Sequence, residues 1–217
     1  MNLELELIKG TNLEYRRIRA GHYVADNGSV GRQLRYLIHY GKVAGIIAGG
    51  MSALSGKTRD AFFGLDIAKR FDEYFSEQAS GIRIAIRNLT IINNTVFRLT
   101  HHEHGLASRV LALWRKQINE DWAMYNNDID SIALPILGFE TYIVAHDHGD
   151  GRRRDGACYR FDGWTHVGKT ATGKLLYCRK NEDFASLYSG ECLLNYQVVE
   201  LFQAMFGEPT VGVVPKP

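Results

Sequence analysis

The chain has 217 residues, 45% of them hydrophobic and 23% charged, and a formal net charge of +2. Those proportions exclude disordered and fibrous architectures, and so small a positive surplus argues for a nucleic-acid partner only where cations cluster. Three widely spaced cysteines, Cys158, Cys178 and Cys192, form no C-x-x-C pair and fit a reducing compartment better than a disulfide framework. The first ten residues lack the basic start and apolar run of a secretory leader, and no apolar stretch approaches the ~20 residues needed to span a bilayer. The expectation is a cytoplasmic protein without a membrane partner, folded as one α/β domain over residues 1–217 with 206–217 as a tail.

Leu3, Leu5 and Leu7 alternate with Glu4 and Glu6 and predict a half-buried first strand. Asn12 is placed to cap a helix over Leu13 to Ala20, which Gly21 stops, leaving His22 and Tyr23 at the helix exit. Gln33 to Tyr40 and Lys42 to Ala48 meet at Gly41 and predict a hairpin. Thr58 to Ser76 carries the mixed spacing of one or two short helices. Leu89 to Ile92 reads as a central buried strand, and Asn93-Asn94-Thr95 as a bulge or strand end. From Gly105 the period turns helical, with Leu106, Val110, Leu113, Trp114, Gln117 and Ile118 in one stripe. Ile132 to Val144 predicts the next buried strand, with an irregular start at Pro135 and Gly138. Gly149 to Gly156 reads as a loop holding Arg152, Arg153 and Arg154. Cys158 to Phe161, Trp164 to Val167 and Leu175 to Arg179 read as short closing strands, and Phe184 to Phe206 as a helical end interrupted at Gly190.

The chemistry centres on the strand, loop and helix around His102-Glu103-His104-Gly105-Leu106-Ala107-Ser108. The first amides of a helix lack internal partners and carry partial positive charge, so a phosphate binds there when small residues allow close approach. Gly105 and Ala107 supply that access. The alternative is that Gly105 only turns the chain into its helix. Arg16 and Arg17 on the first helix, and Arg152, Arg153 and Arg154 in the later loop, are either phosphate contacts or a solvated surface. Trp164, Tyr23 and Tyr125 could stack on an extruded base or belong to the core. Cys158 has no neighbouring His-Asp pattern and reads as a structural thiol.

The segment from His102 to Ala107 resembles the phosphate loop of the GNAT acyltransferases, with His102 at the position of the usual Gln or Arg. Tyr159-Arg160-Phe161-Asp162-Gly163-Trp164 resembles the closing stretch of that superfamily, whose tyrosine protonates the leaving thiolate. The resemblance implies a GNAT-like mixed central sheet flanked by helices. Parallel strands near Leu89 to Asn93 and Phe139 to Val144 would diverge to admit the pantetheine arm of acetyl-CoA or a related acyl-CoA. It further implies that Asn93, His102, His104, Gly105, Leu106, Ala107 and Ser108 bind this donor.

A narrower resemblance runs from Ala20 to Lys174. His22-Tyr23, Gly-Leu-Ala-Ser at Gly105, Glu140-Thr141-Tyr142 and Gly156-Ala157-Cys158-Tyr159 followed by Gly163-Trp164-Thr165-His166-Val167-Gly168 are similar, in order, to the Mom-like phage DNA-modification proteins. What this implies is an enzyme that carbamoylmethylates adenine N6 in double-stranded DNA of a phage or mobile element and shields it from restriction. His22, Tyr23, Tyr159 and Asp147 would be catalytic, with Arg16, Arg17, Arg152, Arg153, Arg154 and Trp164 on the DNA. Val144 stands where the family has an aspartate, and Asp147 is the substitute within reach. Some members of the family use iron, which would place His22 and Asp147 as metal ligands here. A homodimer is compatible with the reading. Two rivals are an ordinary acetyltransferase acting on a small amine or protein, and a non-catalytic DNA-binding protein of a defence or transposition system.

Overall fold

The computed structural model describes residues 2–22, 31–52, 56–64, 90–130, 136–147 and 153–183, with backbone alone at 123–130, 146–147 and 153–154. Its frame is a seven-stranded mixed sheet in the order β1-β2-β3-β4-β5-β9-β8. The strands are β1 (Leu3–Ile8), β2 (Gln33–Tyr40), β3 (Lys42–Met51), β4 (Ile91–Leu99), β5 (Gly138–Ile143), β8 (Thr165–Lys169) and β9 (Leu175–Lys180). A separate two-stranded ribbon pairs β6 (His146–Asp147) with β7 (Arg153–Arg154). The helices are α1 (Leu13–Ala20), α2 (Lys57–Phe62), α3 (Leu106–Asp130) and α4 (Ala157–Phe161). No described helix is long and apolar enough to cross a membrane.

Strands β1 to β4 form an antiparallel meander, built from local signals. The Asn12 side chain accepts the Tyr15 amide and starts α1. Gly41, at φ 71, makes the one-residue turn between β2 and β3 that a side chain would strain. Tyr15 and Ile18 of α1 pack with Leu37, Ile46, Ala48 and Val96 on one face of the sheet. On the same face Phe62, which ends α2, and the following Phe63 cover Ile91, Leu137, Leu176 and Cys178. The opposite face carries α3 and α4, whose Leu106, Val110, Trp114, Ile118 and Tyr159 join the main core with Tyr36, Ile47, Ile92 and Phe139. A Cβ on Gly49 would collide with Ile118 and Trp114, so the absence of a side chain there lets α3 lie directly on β3.

The bulge expected at Asn93-Asn94-Thr95 is present: Gly49 pairs with Asn94 and Ala48 with Val96, leaving Thr95 as the extra residue. That extra residue shifts the alternation, so Ile92 and Phe97 face α3 while Val96 lies under α1. The strand does not end there but runs on to Leu99.

Two expectations are corrected. The stretch Cys158 to Phe161 is not a strand but part of helix α4, because Gly156, at φ 85, turns the chain so that Tyr159 and Arg160 amides both return to its carbonyl. Arg153 and Arg154 are not in an open loop but in β7, with Asp147 opposite Arg153 and His146 opposite Arg154. The expected helix from Phe184 to Phe206 and the tail at 206–217 lie outside the described residues.

Candidate functional site

Among the described strands, β4 and β5 are the one parallel pair, and they stay together for three positions: Ile91 with Gly138, Ile92 with Phe139, Asn93 with Glu140. Beyond that point β4 continues along β3 to Leu99 and β5 continues along β9 to Ile143. The ladder therefore forks at Asn93 and Glu140, and towards the carboxyl ends each strand keeps only its outer partner. Residues 100–105 leave β4 at that same end and lead directly into α3.

This loop is tied down. Glu103 accepts from the Arg109 guanidinium at 2.6 Å and from the Tyr40 hydroxyl at 3.1 Å, and the Arg109 guanidinium lies over the Tyr40 ring. Gly105 has φ 74, the left-handed region that glycine tolerates, and an added Cβ would meet no atom of the described residues within 4 Å. Leu106 is fully buried, and its amide returns to the Glu103 carbonyl, so of the expected cradle residues it supplies packing and turn closure. Among the described residues the Ala107 and Ser108 amides have no backbone acceptor, while the Ser108 hydroxyl donates to the Gly105 carbonyl. His102 and His104 are exposed beside them. For Gly105→Ala we expect a loss of about 1 kcal/mol, from the left-handed backbone alone and without a clash. Chemical denaturation of the two proteins checks it.

Tyr159 arrives at the fork from the α3 face. Its ring is buried among Phe97, Trp164 and Tyr177, and its hydroxyl donates to Asn94 Oδ1 at 2.6 Å. Asn94 is the first residue of β4 past the parallel pairs. Its Nδ2 donates to the carbonyls of Ala48 at 3.0 Å and Val96 at 3.3 Å, which flank the bulge, and its own carbonyl accepts from the Thr141 hydroxyl of β5 at 3.1 Å. Asn94 and Thr141 therefore bridge the fork at its base. Sequence reasoning marked Asn94 as a bulge residue and missed this role. An asparagine inside an apolar strand was the available signal, since a buried amide needs several partners.

His22 follows α1, its amide returning to the Arg19 carbonyl, on the sheet face opposite Tyr159. The neighbouring Arg98 of β4 donates to the Ile18 carbonyl and lies against Gly21. His22 and Tyr159 thus approach from opposite sides of the sheet. Tyr23, Arg152 and the side chains of Asp147, Arg153, Arg154 and Tyr125 lie outside the described residues. Among those described, no group of three or more metal-ligating residues is gathered. The iron reading rests on His22 with Asp147.

Trp164 corrects an expectation. It is only 3% exposed, packs against Phe139 and Tyr159, and gives its indole N–H to Asp162 at 2.8 Å. A base could stack on it only after the core was dismantled. Arg16 and Arg17 are exposed, but Arg16 donates to the Gly10 carbonyl and Arg17 makes two contacts to Glu14. Asn93 pairs with Glu140 at the last joined position of the fork.

Two polar clusters hold the surroundings. Arg115 of α3 grips both carboxylate oxygens of Asp162 at 2.9 and 3.0 Å, and the Asp162 carbonyl accepts from Arg179. This pins the turn after α4. Under α2, the fully buried Arg59 reaches Asp60 at 3.0 Å and Glu140 at 3.1 Å, and Tyr142 donates to the same Glu140 oxygen. Burial first, then the Glu140 charge, raises the Tyr142 phenol above its ordinary range.

Burial also pushes the Cys158 thiol up to about 11. At neutral pH about one molecule in ten thousand would hold the thiolate, so alkylation of Cys158 should be slow and should quicken as pH approaches 11. Because the folded state keeps a proton that the unfolded chain releases from about pH 9, this group's contribution to stability is complete below pH 9 and is lost as pH rises towards 11. Peptide mapping after timed iodoacetamide treatment measures the first effect, and rapid labelling at pH 7 would contradict it.

Comparison of the chain with family models, with curated proteins and with solved structures gives no match.

Proposed function

We propose that the chain is an acyl-CoA-dependent transferase of the GNAT type that modifies adenine N6 in duplex DNA. The observation that carries the first half is the fork between β4 and β5, at the end where the Ala107 and Ser108 amides, with no backbone acceptor among the described residues, stand behind Gly105. A pantetheine arm entering such a fork would leave its diphosphate at those amides, where backbone donors and the helix dipole favour negative charge. His102 and His104 are the adjacent side chains for the remaining phosphate oxygens. The strand order, with its single parallel junction among the described strands, supports this reading. In the transfer the adenine N6 attacks the donor's carbonyl carbon, the C–N bond forms as the C–S bond breaks, and the proton lost from N6 goes through solvent to the released thiolate, so that the product of this step is an N6-acyl adenine, and a carbamoylmethyl group would need a further reaction.

The DNA half rests on the ordered resemblance to Mom-like proteins and on exposed Arg16 and Arg17, with Arg153 and Arg154 on the ribbon that follows β5. Loss of Trp164 as a stacking residue removes one expected base contact. A second reading, transfer to a small amine or protein, is favoured by a specific observation: Arg16 and Arg17 are already engaged within α1 and its approach.

Titration calorimetry with acetyl-CoA tests the first half, and saturable binding that Gly105→Val abolishes is the expected result. Mass spectrometry of nucleosides from DNA co-expressed with the protein tests the second. Unmodified adenine beside confirmed acetyl-CoA binding would transfer the proposal to the small-amine reading, and salt-sensitive binding to duplex DNA would argue the other way.

A further inference from the structure

A duplex is met first through its phosphates, so a surface for it shows as cations that the protein has not already neutralised. Arg17, Arg59, Arg109, Arg115 and Arg160 each hold a carboxylate. Between Asp162 and Glu182 the chain has no acidic residue and four cations, Lys169, Lys174, Arg179 and Lys180. Arg179 turns back to the Asp162 carbonyl and Lys180 lies over the Phe62 ring, whereas Lys169 and Lys174 make no ion pair among the described residues. Both flank the turn that joins β8 to β9. Ile143, which ends β5, pairs with Leu175, which begins β9, so residues 170–174 stand at the carboxyl end of β5, where the ladder has forked.

Leu175 and Tyr177 face α3, and Leu176 and Cys178 face α2. Lys169 pairs with Leu175 and shares its face, while Lys174, one position before Leu175, takes the other. The turn between them is small, exposed and closed on itself. The Thr170 amide donates to the Lys174 carbonyl and the Gly173 amide to the Thr170 carbonyl, both at 2.9 Å, and the Thr170 and Thr172 hydroxyls meet at 3.0 Å. An added Cβ on Gly168 would lie 3.3 Å from Thr58 Cγ2, so the start of α2 stands beside β8 and adds the exposed Lys57 to the face of Lys174. Protection of the outermost strand from edge pairing explains Lys169. It explains neither Lys174, which leads into the inner strand β9, nor Lys57, which the dipole of its own helix disfavours.

We infer that the β8–β9 turn docks on duplex DNA, its tip entering a groove while Lys169 and Lys174 reach phosphates on the two walls. The choice of DNA as the polyanion rests on the DNA half of the reading above; the placing of the two lysines does not. A two-stranded ribbon fits the major groove, about 12 Å wide, and cations on opposite faces suit two walls where a flat anionic surface would engage one face. The adenine N6 group lies on the major-groove edge, so a ribbon there brings the acceptor to the end of the sheet at which the donor is proposed to enter.

Fluorescence anisotropy with a duplex of about 20 base pairs, read across a salt series, tests the assignment. Lys169→Gln with Lys174→Gln should weaken binding by roughly 10-fold or more at low salt and lower the slope of log K against log salt by about 2. Lys9→Gln with Lys116→Gln removes the same charge from exposed positions after β1 and on α3, and should stay within about two-fold of wild type. Equal losses in the two pairs, an unchanged slope in the hairpin pair, or no wild-type binding to the duplex overturns the inference. Ala171→Glu sets a carboxylate at the exposed tip and should also weaken binding; wild-type affinity in that variant overturns the entry of the tip into a groove. Binding to phosphatidylserine vesicles through the same lysines, with none to the duplex, gives the surface to a membrane and overturns it too. Hairpin-dependent binding beside unmodified adenine upholds the docking surface while the modification reading fails. Adenine modified at the wild-type level by the hairpin pair upholds that reading and overturns this one.

Discussion

Asp162→Ala is expected to cost about 3–5 kcal/mol of stability, the largest loss among single substitutions away from the apolar core. Its carboxylate takes both arms of Arg115 and the Trp164 indole N–H, all buried. Removing it strands a buried guanidinium and an indole donor together. The same turn carries the chain from α4 into β8, and Tyr159 sits one turn before it. The variant should therefore lose both melting temperature and the fixed environment of Tyr159, visible as a collapse of the near-ultraviolet aromatic signal. Asp162→Asn keeps one acceptor for Trp164 or Arg115 and should fall between the two proteins. A melting temperature within a degree or two of wild type for Asp162→Ala would show that the cluster is ornamental.

Arg59→Leu should be nearly as damaging, again by about 3–5 kcal/mol, for a complementary reason. Here the cation leaves and the anions stay: Glu140 is fully buried and Asp60 almost so. Glu140 is also the β5 member of the last joined pair of the fork, so losing its cation would be felt at the junction itself. The double variant Arg59→Leu with Glu140→Leu removes the stranded charge with its partner, and should recover more than half of the lost stability. Urea denaturation of the two single variants and the double one measures this coupling. If the two changes simply added in the double variant, Arg59 and Glu140 would have no common purpose.

Most of the sheet was legible because its signals are local. Alternation in Leu3 to Leu7, the Asn12 cap, the turn at Gly41 and the helical stripe from Leu106 each depend on residues a few positions apart, and each element is found where its pattern put it. The helix at Cys158 was misread because five residues are too few to show a 3.6-residue period, and because Cys, Tyr and Phe suit strands as well. The arginines 153 and 154 were misread because a two-residue strand carries no alternation at all. In the candidate site, the turn at Gly105 was visible as small residues before a helix. The part played by Asn94 was not, since its partners lie 46 and 65 positions away, on β3 and α4. Arg59 and Glu140, separated by 81 positions, were hidden for the same reason.

The base of the fork is closed by a threonine hydroxyl reaching a neighbouring carbonyl, and not by another rung of the ladder. A rung cannot be altered without moving a strand, whereas a side chain is replaced by one substitution. If the proposed donor enters between β4 and β5, residue 141 would set an adjustable stop: a smaller side chain there would let the guest go deeper and a bulkier one would halt it earlier, with the scaffold on either side left as it is.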